Sequence, residues 1–213
     1  MSALVASLVL ILAAYLLGSL SGSLLLGRLR GVDIRTQGSG NAGGTNALRT
    51  QGWKFALGVV LVDVGKGALA AWLGLRFGPA DEPLSPRALA HASAFAAAIG
   101  HVWPLWHGFR GGKGVGTLLG GLLVLWPAVV PWLLLAWTAV LVSSGYVGLA
   151  SVIAVACVVP LAWFIGAEAD NARRLFACAS ATLVLFTHRG NLQRLYAGSE
   201  SRFERIRLLR KRT

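Results

Sequence analysis

The sequence predicts an all-α, polytopic integral membrane protein with about seven transmembrane helices, in a single domain spanning residues 1–213. Three observations carry this. First, hydrophobic residues make up 55% of the chain and charged residues 13%, against the ~25% charged residues of an ordinary soluble domain; the mean hydropathy is +0.65. Second, the 54 residues from Gly114 to Ala167 include no Asp, Glu, Lys or Arg. As helix they would extend about 80 Å, enough for at least two crossings of a ~30 Å hydrocarbon core. Third, twenty Lys and Arg against eight Asp and Glu give a net charge of +12, and the basic residues cluster at the edges of apolar runs, as expected of cytoplasmic loops. This composition excludes a disordered tail, a collagen and a disulfide-stapled mini-protein. No nucleic-acid motif accompanies the charge, so the expected partners are membrane lipids and phosphorylated ligands.

The first span covers residues 2–26. The first charge is Arg28, so the basic start of a signal peptide is missing and this helix is read as retained. Residues 27–54 are polar and Gly-rich, with Arg28, Arg30, Arg35, Arg49 and Lys54 against Asp33, which marks a cytoplasmic loop. A second span, 55–77, is interrupted by Asp63 and Lys66. Residues 78–86 hold two acids, three prolines and no base, as an outside loop would. A third span, 87–106, ends near Pro104, and 107–117 form a second basic Gly-rich loop. Pro127, Pro131 and Ser143-Ser144-Gly145 divide the charge-free run into spans near 115–129, 130–143 and 146–166. Glu168, Asp170 and Arg173 precede a last span at 174–187, and a basic tail begins at His188. Seven spans place the N-terminus outside and the C-terminus in the cytoplasm, with all three basic segments on one side. Cys157 and Cys178 lie in apolar segments without metal-ligand spacing.

Polar residues concentrate in a few places. The first loop reads Gly38-Ser39-Gly40-Asn41-Ala42-Gly43-Gly44-Thr45-Asn46, followed by Arg49. Glycines let backbone N–H groups converge on an anion, short polar side chains add donors, and a guanidinium fork suits phosphate. The second loop, Arg110-Gly111-Gly112-Lys113-Gly114-Val115-Gly116-Thr117, opens an apolar helix. A Gly-rich turn with Lys at a helix N-terminus is a phosphate-binding arrangement. It does not fit the spacing of a nucleotide-hydrolysing P-loop. Asp63 and Lys66, three residues apart, are within pairing reach in an apolar segment; a structural ion pair and a direct substrate role both fit. His188 and Asn191 share one face if their segment is helical, and His101 is a further candidate lining residue. No Cys, His, Asp and Glu cluster has metal spacing. Neither a metal nor a cofactor is therefore expected, and the chemistry should rest on electrostatics and positioning.

These segments resemble, in order, the motifs of the bacterial acyl-phosphate:glycerol-3-phosphate acyltransferase (PlsY) family. The first family pattern, G-S-G-N-x-G-A-T-N with Arg three residues on, matches Gly38 to Asn46 and Arg49, with Gly44 in place of Ala. The second, K-G-G-K-G-V-A-T, matches Arg110 to Thr117, with Arg110 for Lys and Gly116 for Ala. The third, H-R-x-N-I-x-R-L-x-x-G-x-E, matches His188 to Glu200, with Leu192 for Ile. D-x-x-K-G (Asp63, Lys66, Gly67) and G-H-x-x-P (Gly100, His101, Pro104) also fit.

The resemblance implies a seven-helix enzyme of the bacterial inner membrane with its active site facing the cytoplasm. It would transfer an acyl group from acyl phosphate to glycerol 3-phosphate, forming lysophosphatidic acid and phosphate in the first acylation of phospholipid synthesis. The soluble enzyme that makes acyl phosphate is an implied partner. On this reading Ser39, His188 and Asn191 polarise or orient the reacting groups. Gly40, Asn41, Thr45, Asn46, Arg49, Gly111, Gly112, Lys113, Gly114 and Thr117 bind substrate phosphates, and Asp63, Lys66 and His101 support them. A phosphate or organophosphate transporter is the alternative. It would carry polar groups near the midplane or on both sides, whereas these clusters share one side.

Overall fold

A computed structural model of the chain describes residues 2–79, 85–165 and 170–203. The expected outside loop at 78–86, Glu168 and the end of the basic tail lie wholly or partly outside the described residues. The chain forms two compact units, Met1–Pro127 and Ala128–Thr213, and the regular elements among the described residues are helical.

The first unit contains α1 (Ala3–Gly18), α2 (Gly22–Leu29), α3 (Gly44–Gln51), α4 (Trp53–Phe77), α5 (Pro86–Val102) and α6 (Val115–Leu125). Short 3-10 turns occur at Ile34–Thr36 and Leu105–His107. The 25-residue α4 packs against α1, α2, α3, α5 and α6. Small residues permit this, because in an apolar medium helices associate through close backbone packing. A Cβ on Gly67 of α4 would collide with the Thr117 carbonyl of α6. The same holds between α1 and α5, where Gly18 meets the Ala97 backbone and Gly100 meets that of Tyr15.

The second unit contains α7 (Val130–Ser144), α8 (Val147–Phe164), α9 (Asn171–Thr187) and α10 (Arg189–Tyr196). Helix α8 packs against both α7 and α9. Gly145, with φ 79°, caps α7, so the boundary falls where Ser143-Ser144-Gly145 predicts it.

Among the described residues, four helical stretches are long and apolar enough to cross a membrane: Trp53–Phe77, Pro86–His107, Pro127–Ser144 and Val147–Phe164. Helices α1 and α2 add a fifth if the pair, bent by 47°, counts as one span. The other two predicted spans correspond to α6, of 11 residues, and α9, of 17, both shorter than the ~20 residues of a standard crossing. The first span differs from its prediction as an unbroken helix over 2–26. At Ser19 the N–H is shared between the Tyr15 and Leu16 carbonyls and the hydroxyl donates back to Tyr15 O at 3.0 Å. This local competition ends the helix, and the chain restarts at Gly22.

Candidate active site

The first Gly-rich loop is shaped from within. Asp33 caps the Ile34–Thr36 turn by accepting from Arg35 N at 2.9 Å. Asn46 lies in the first turn of α3 and is buried. Its Nδ2 donates to Ile34 O at 3.1 Å and Gln37 O at 3.0 Å, and its Oδ1 accepts from Ser39 N at 2.9 Å. Both amide hydrogens are thus spent on the loop's own backbone. Around this tie, Ser39, Gly40 and Arg49 are exposed, while Asn41 and Thr45 are half-buried.

The second loop rests on the end of α5. Gly111 N donates to Val102 O at 3.1 Å and Gly112 N to His101 O at 3.0 Å. A Cβ on Gly112 would strike the His101 imidazole at Nε2 and approach the Ala42 carbonyl of the first loop, so only glycine lets the two loops come this close. Gly114, with φ 87° in the left-handed region, turns the chain into α6. Lys113 is half-buried. Thr117 is fully buried against Gly67, and its hydroxyl has no hydrogen-bond partner among the described residues.

Beneath these loops lies a buried polar cluster. Lys66 Nζ donates to Asp63 Oδ1 at 3.0 Å, Leu20 O at 3.0 Å and His101 Nδ1 at 2.8 Å, which uses all three ammonium hydrogens. With Lys66 as an ammonium, Nζ only donates, so His101 Nδ1, which also lies 3.4 Å from Asp63 Oδ1, accepts from it and the ring proton is placed on Nε2, towards Gly112. Asp63 Oδ1 also accepts from Gly22 N at 3.0 Å. Leu20 O and Gly22 N are backbone groups at the α1–α2 break. The cluster thereby satisfies polar groups that hydrocarbon could not.

In the second unit His188 is buried at the α9–α10 junction. Its Nδ1 lies 2.9 Å from Val184 O. A carbonyl only accepts, so Nδ1 carries a proton and Nε2 is the ring's other nitrogen. Asn191, in the first turn of α10, donates from Nδ2 to Glu200 Oε1 at 2.5 Å, and Arg194 Nε donates to Glu200 Oε2 at 2.7 Å. Arg202 Nε bonds the hydroxyl of Tyr146.

Within the first unit the structure brings together both Gly-rich loops, Asp63, Lys66 and His101; within the second it brings together His188 and Asn191. Two participants were missed as site residues. Glu200 anchors Asn191, and its signal was its place at the end of the third motif. Arg35 links the two loops: Nη1 donates to His107 O at 2.9 Å and Arg110 O at 3.2 Å, while Nη2 binds Asp33 Oδ2 at 2.7 Å. The Arg35 hydrogen bond in turn holds the Asp33 carboxyl down at about 2. The only sequence hint was one acid two residues before an Arg in a basic loop.

Residues 8–198 match the family described as "Glycerol-3-phosphate acyltransferase". Curated relatives bearing that name include one from Chlorobaculum tepidum, 36% identical over 92% of this chain and 95% of its own. Another, from Synechococcus sp. (strain CC9902), is 42% identical over 93% and 96%. The fold is similar to crystal structures of PlsY (YgiH), an integral membrane glycerol 3-phosphate acyltransferase. The glycerol 3-phosphate form aligns with TM-score 0.83 and 33% identity, and the lysophosphatidic acid form with TM-score 0.82 and 32% identity. Each alignment covers 92% of this chain and 95% of the other.

Proposed function

The chain belongs to the glycerol-3-phosphate acyltransferase family, and from that premise we propose that it transfers an acyl group from acyl phosphate to the 1-hydroxyl of glycerol 3-phosphate. The observation that carries this is the adjacency of two Gly-rich, basic loops in the first unit, one cradle for each of two phosphorylated substrates. The solved relative's forms with glycerol 3-phosphate and lysophosphatidic acid support the acceptor and product.

In the proposed reaction the glycerol hydroxyl oxygen attacks the acyl carbonyl. The new ester C–O bond forms, the C–O bond to phosphate breaks, and inorganic phosphate leaves, with the hydroxyl proton passing to it directly or by way of a neighbouring group. Acyl phosphate is an activated mixed anhydride, so the reaction requires no acyl-enzyme. Arg49 and Lys113 hold phosphate charge, with Asn41, Thr45 and the Lys113–Gly114 backbone supplying further donors, while Gly40, Gly111 and Gly112, whose N–H groups bond Gln37 O, Val102 O and His101 O, shape the two cradles. Ser39, His188 and Asn191 orient and polarise the reacting groups. Asn46, Thr117, Asp63, Lys66 and His101 act from beneath: four of them are tied to backbone or to each other, and Thr117 is packed against α4.

The chain is a multi-pass membrane protein. We place it in the bacterial inner membrane with seven crossings, N-terminus outside, C-terminus inside and the site facing the cytoplasm, where the soluble acyl-phosphate-forming enzyme can deliver the donor. The basic segments at 28–54, 110–113 and 189–212 support this orientation. The chain has no Asp five residues after any His, so the H-x-x-x-x-D motif of thioester-dependent acyltransferases is missing.

The test is an assay of purified protein with acyl phosphate, acyl-CoA and acyl carrier protein as competing donors. Acylation of glycerol 3-phosphate by acyl phosphate alone is expected; comparable turnover with palmitoyl-CoA overturns the donor assignment. Labelling from outside sealed cells of a cysteine placed at position 40 or 112 overturns the orientation.

A further inference from the structure

We propose that Arg35 is a positioning residue that holds the second Gly-rich loop in its binding shape by clasping the carbonyls of His107 and Arg110. The inference rests on the reading above that this loop holds a substrate phosphate.

The two clasped carbonyls bracket Gly108 and Phe109, whose φ values are 64° and 58°. Phe109 is the one non-glycine residue with positive φ among the described residues. Such backbone persists only where its surroundings over-determine it. From one side the turn is held by Phe109 N, which donates to Pro104 O at 3.0 Å. From the other it is held by Arg35 Nη1, 2.9 Å from His107 O and 3.2 Å from Arg110 O. The strained turn runs directly into Gly111 and Gly112, whose N–H groups bond Val102 O and His101 O, and then into Lys113, so its shape sets where the Lys113 ammonium points.

Arg35 is itself aimed. Asp33 receives Nε at 3.0 Å and Nη2 at 2.7 Å, a fork-to-carboxylate pairing that leaves Nη1 directed at the two carbonyls. One planar group thus grips the carboxylate and both carbonyls together. A Lys at this position has the charge but not the fork, and cannot reach all three. Arg35 and Asp33 lie on the stretch leading into the first loop, so the clasp also fixes the spacing between the two cradles.

The test uses the full-length protein in detergent, as wild type and as Arg35→Ala, Arg35→Lys and Asp33→Asn, each checked for a monodisperse elution profile. Hydrogen exchange over 107–114 reads the clasp without substrate, and steady-state kinetics with each phosphorylated substrate varied in turn reads its consequence. We expect faster exchange across 107–114 in both Arg35 variants. KM for one of the two phosphorylated substrates should rise about tenfold while kcat stays within about threefold, as for lost ground-state binding. Arg35→Lys should behave like Arg35→Ala, and Asp33→Asn should fall between Arg35→Ala and wild type.

Unchanged exchange overturns the clasp. Raised exchange with both KM values unchanged overturns its role in binding. A fall in kcat at unchanged KM overturns it too, by placing Arg35 at the reacting atoms. Restoration of KM by Arg35→Lys shows that charge alone matters and overturns the geometry. If the wild-type protein does not acylate glycerol 3-phosphate, the functional reading fails separately, and the exchange arm alone decides the clasp.

Discussion

Two polar regions on otherwise apolar helices have opposite designs. The Asp63–Lys66–His101 cluster of the first unit is buried, and the ammonium has donated all its hydrogens to protein acceptors. The His188–Asn191–Glu200–Arg194 group of the second unit grades outward, from buried His188 to an Arg194 side chain 50% exposed. There one carboxylate orients two donors. The first design uses charge to complete a backbone; the second uses charge to aim side chains. Charge inside a span is therefore a poor guide to chemistry until its hydrogen bonds are counted.

The sharpest way to break this comparison is Asp63→Ala. It leaves Lys66 and Gly22 N–H buried with a partner removed, which typically costs ~3–5 kcal/mol for a buried pair. We expect loss of monodisperse protein or a large fall in the unfolding midpoint in detergent, whereas His188→Ala should fold. Equal stability of the two variants would erase the distinction.

Activity should divide differently. Arg49→Ala and Lys113→Ala should lower kcat/KM by at least ten- to hundredfold, the equivalent of one or two charged hydrogen bonds to phosphate. Arg49→Lys should not fully restore it. His188→Ala and Asn191→Ala should instead lower kcat more than they raise either KM. A fully active His188→Ala enzyme would remove that residue from the site.

The packing beneath the loops offers a matched pair on one helix. Gly67→Ala would drive a methyl group into the Thr117 carbonyl, whereas Gly65 has nothing within 4 Å. We expect Gly67→Ala to destabilise by ~1–3 kcal/mol and Gly65→Ala to be neutral or slightly stabilising. Thermal unfolding of both variants checks this.

The smallest effects lie at the surface. Asp33 titrates well below its ordinary 3.8, at about 2, because Arg35 bonds its carboxylate. A depressed carboxyl contributes stability above its unfolded value, and that contribution disappears as pH falls through the folded value. Exchange over 107–114 should therefore show no Asp33-dependent change between pH 5 and 9, a range set by this shift and read by comparing wild type with Asp33→Asn. Deleting Arg210, Lys211 and Arg212, which lie outside the described residues, should leave kcat nearly unchanged.

Much of this was legible in the sequence because it was local. Both Gly-rich loops, the i, i+3 pairing of Asp63 with Lys66, and the division at Ser143-Ser144-Gly145 follow from spacing and residue type. What escaped depended on partners far along the chain. Residues Leu17 to Gly22 read as continuous apolar helix, and the break becomes tenable only because Asp63 and Lys66 arrive 41 and 46 residues later. Asn46 read as a phosphate donor like its neighbours; its inward turn follows from burial against Ile34 and Gln37, which composition cannot reveal. Arg35 read as one basic residue among several, since its acceptors are backbone carbonyls more than seventy positions away.

The 47° bend also bears on how the chain is born. Until α4 lies beside residues 3–29, hydrocarbon offers the Leu20 carbonyl and the Gly22 amide no partner. The newborn segment's cheapest state is one uninterrupted rod. The expected order is that the segment enters as a straight helix and that the bend, favoured locally at Ser19, is fixed when α4 supplies the missing carboxylate and ammonium. The order of synthesis thus separates entry into the bilayer from creation of the broken helix. Its final geometry is postponed until the residues that stabilise it exist.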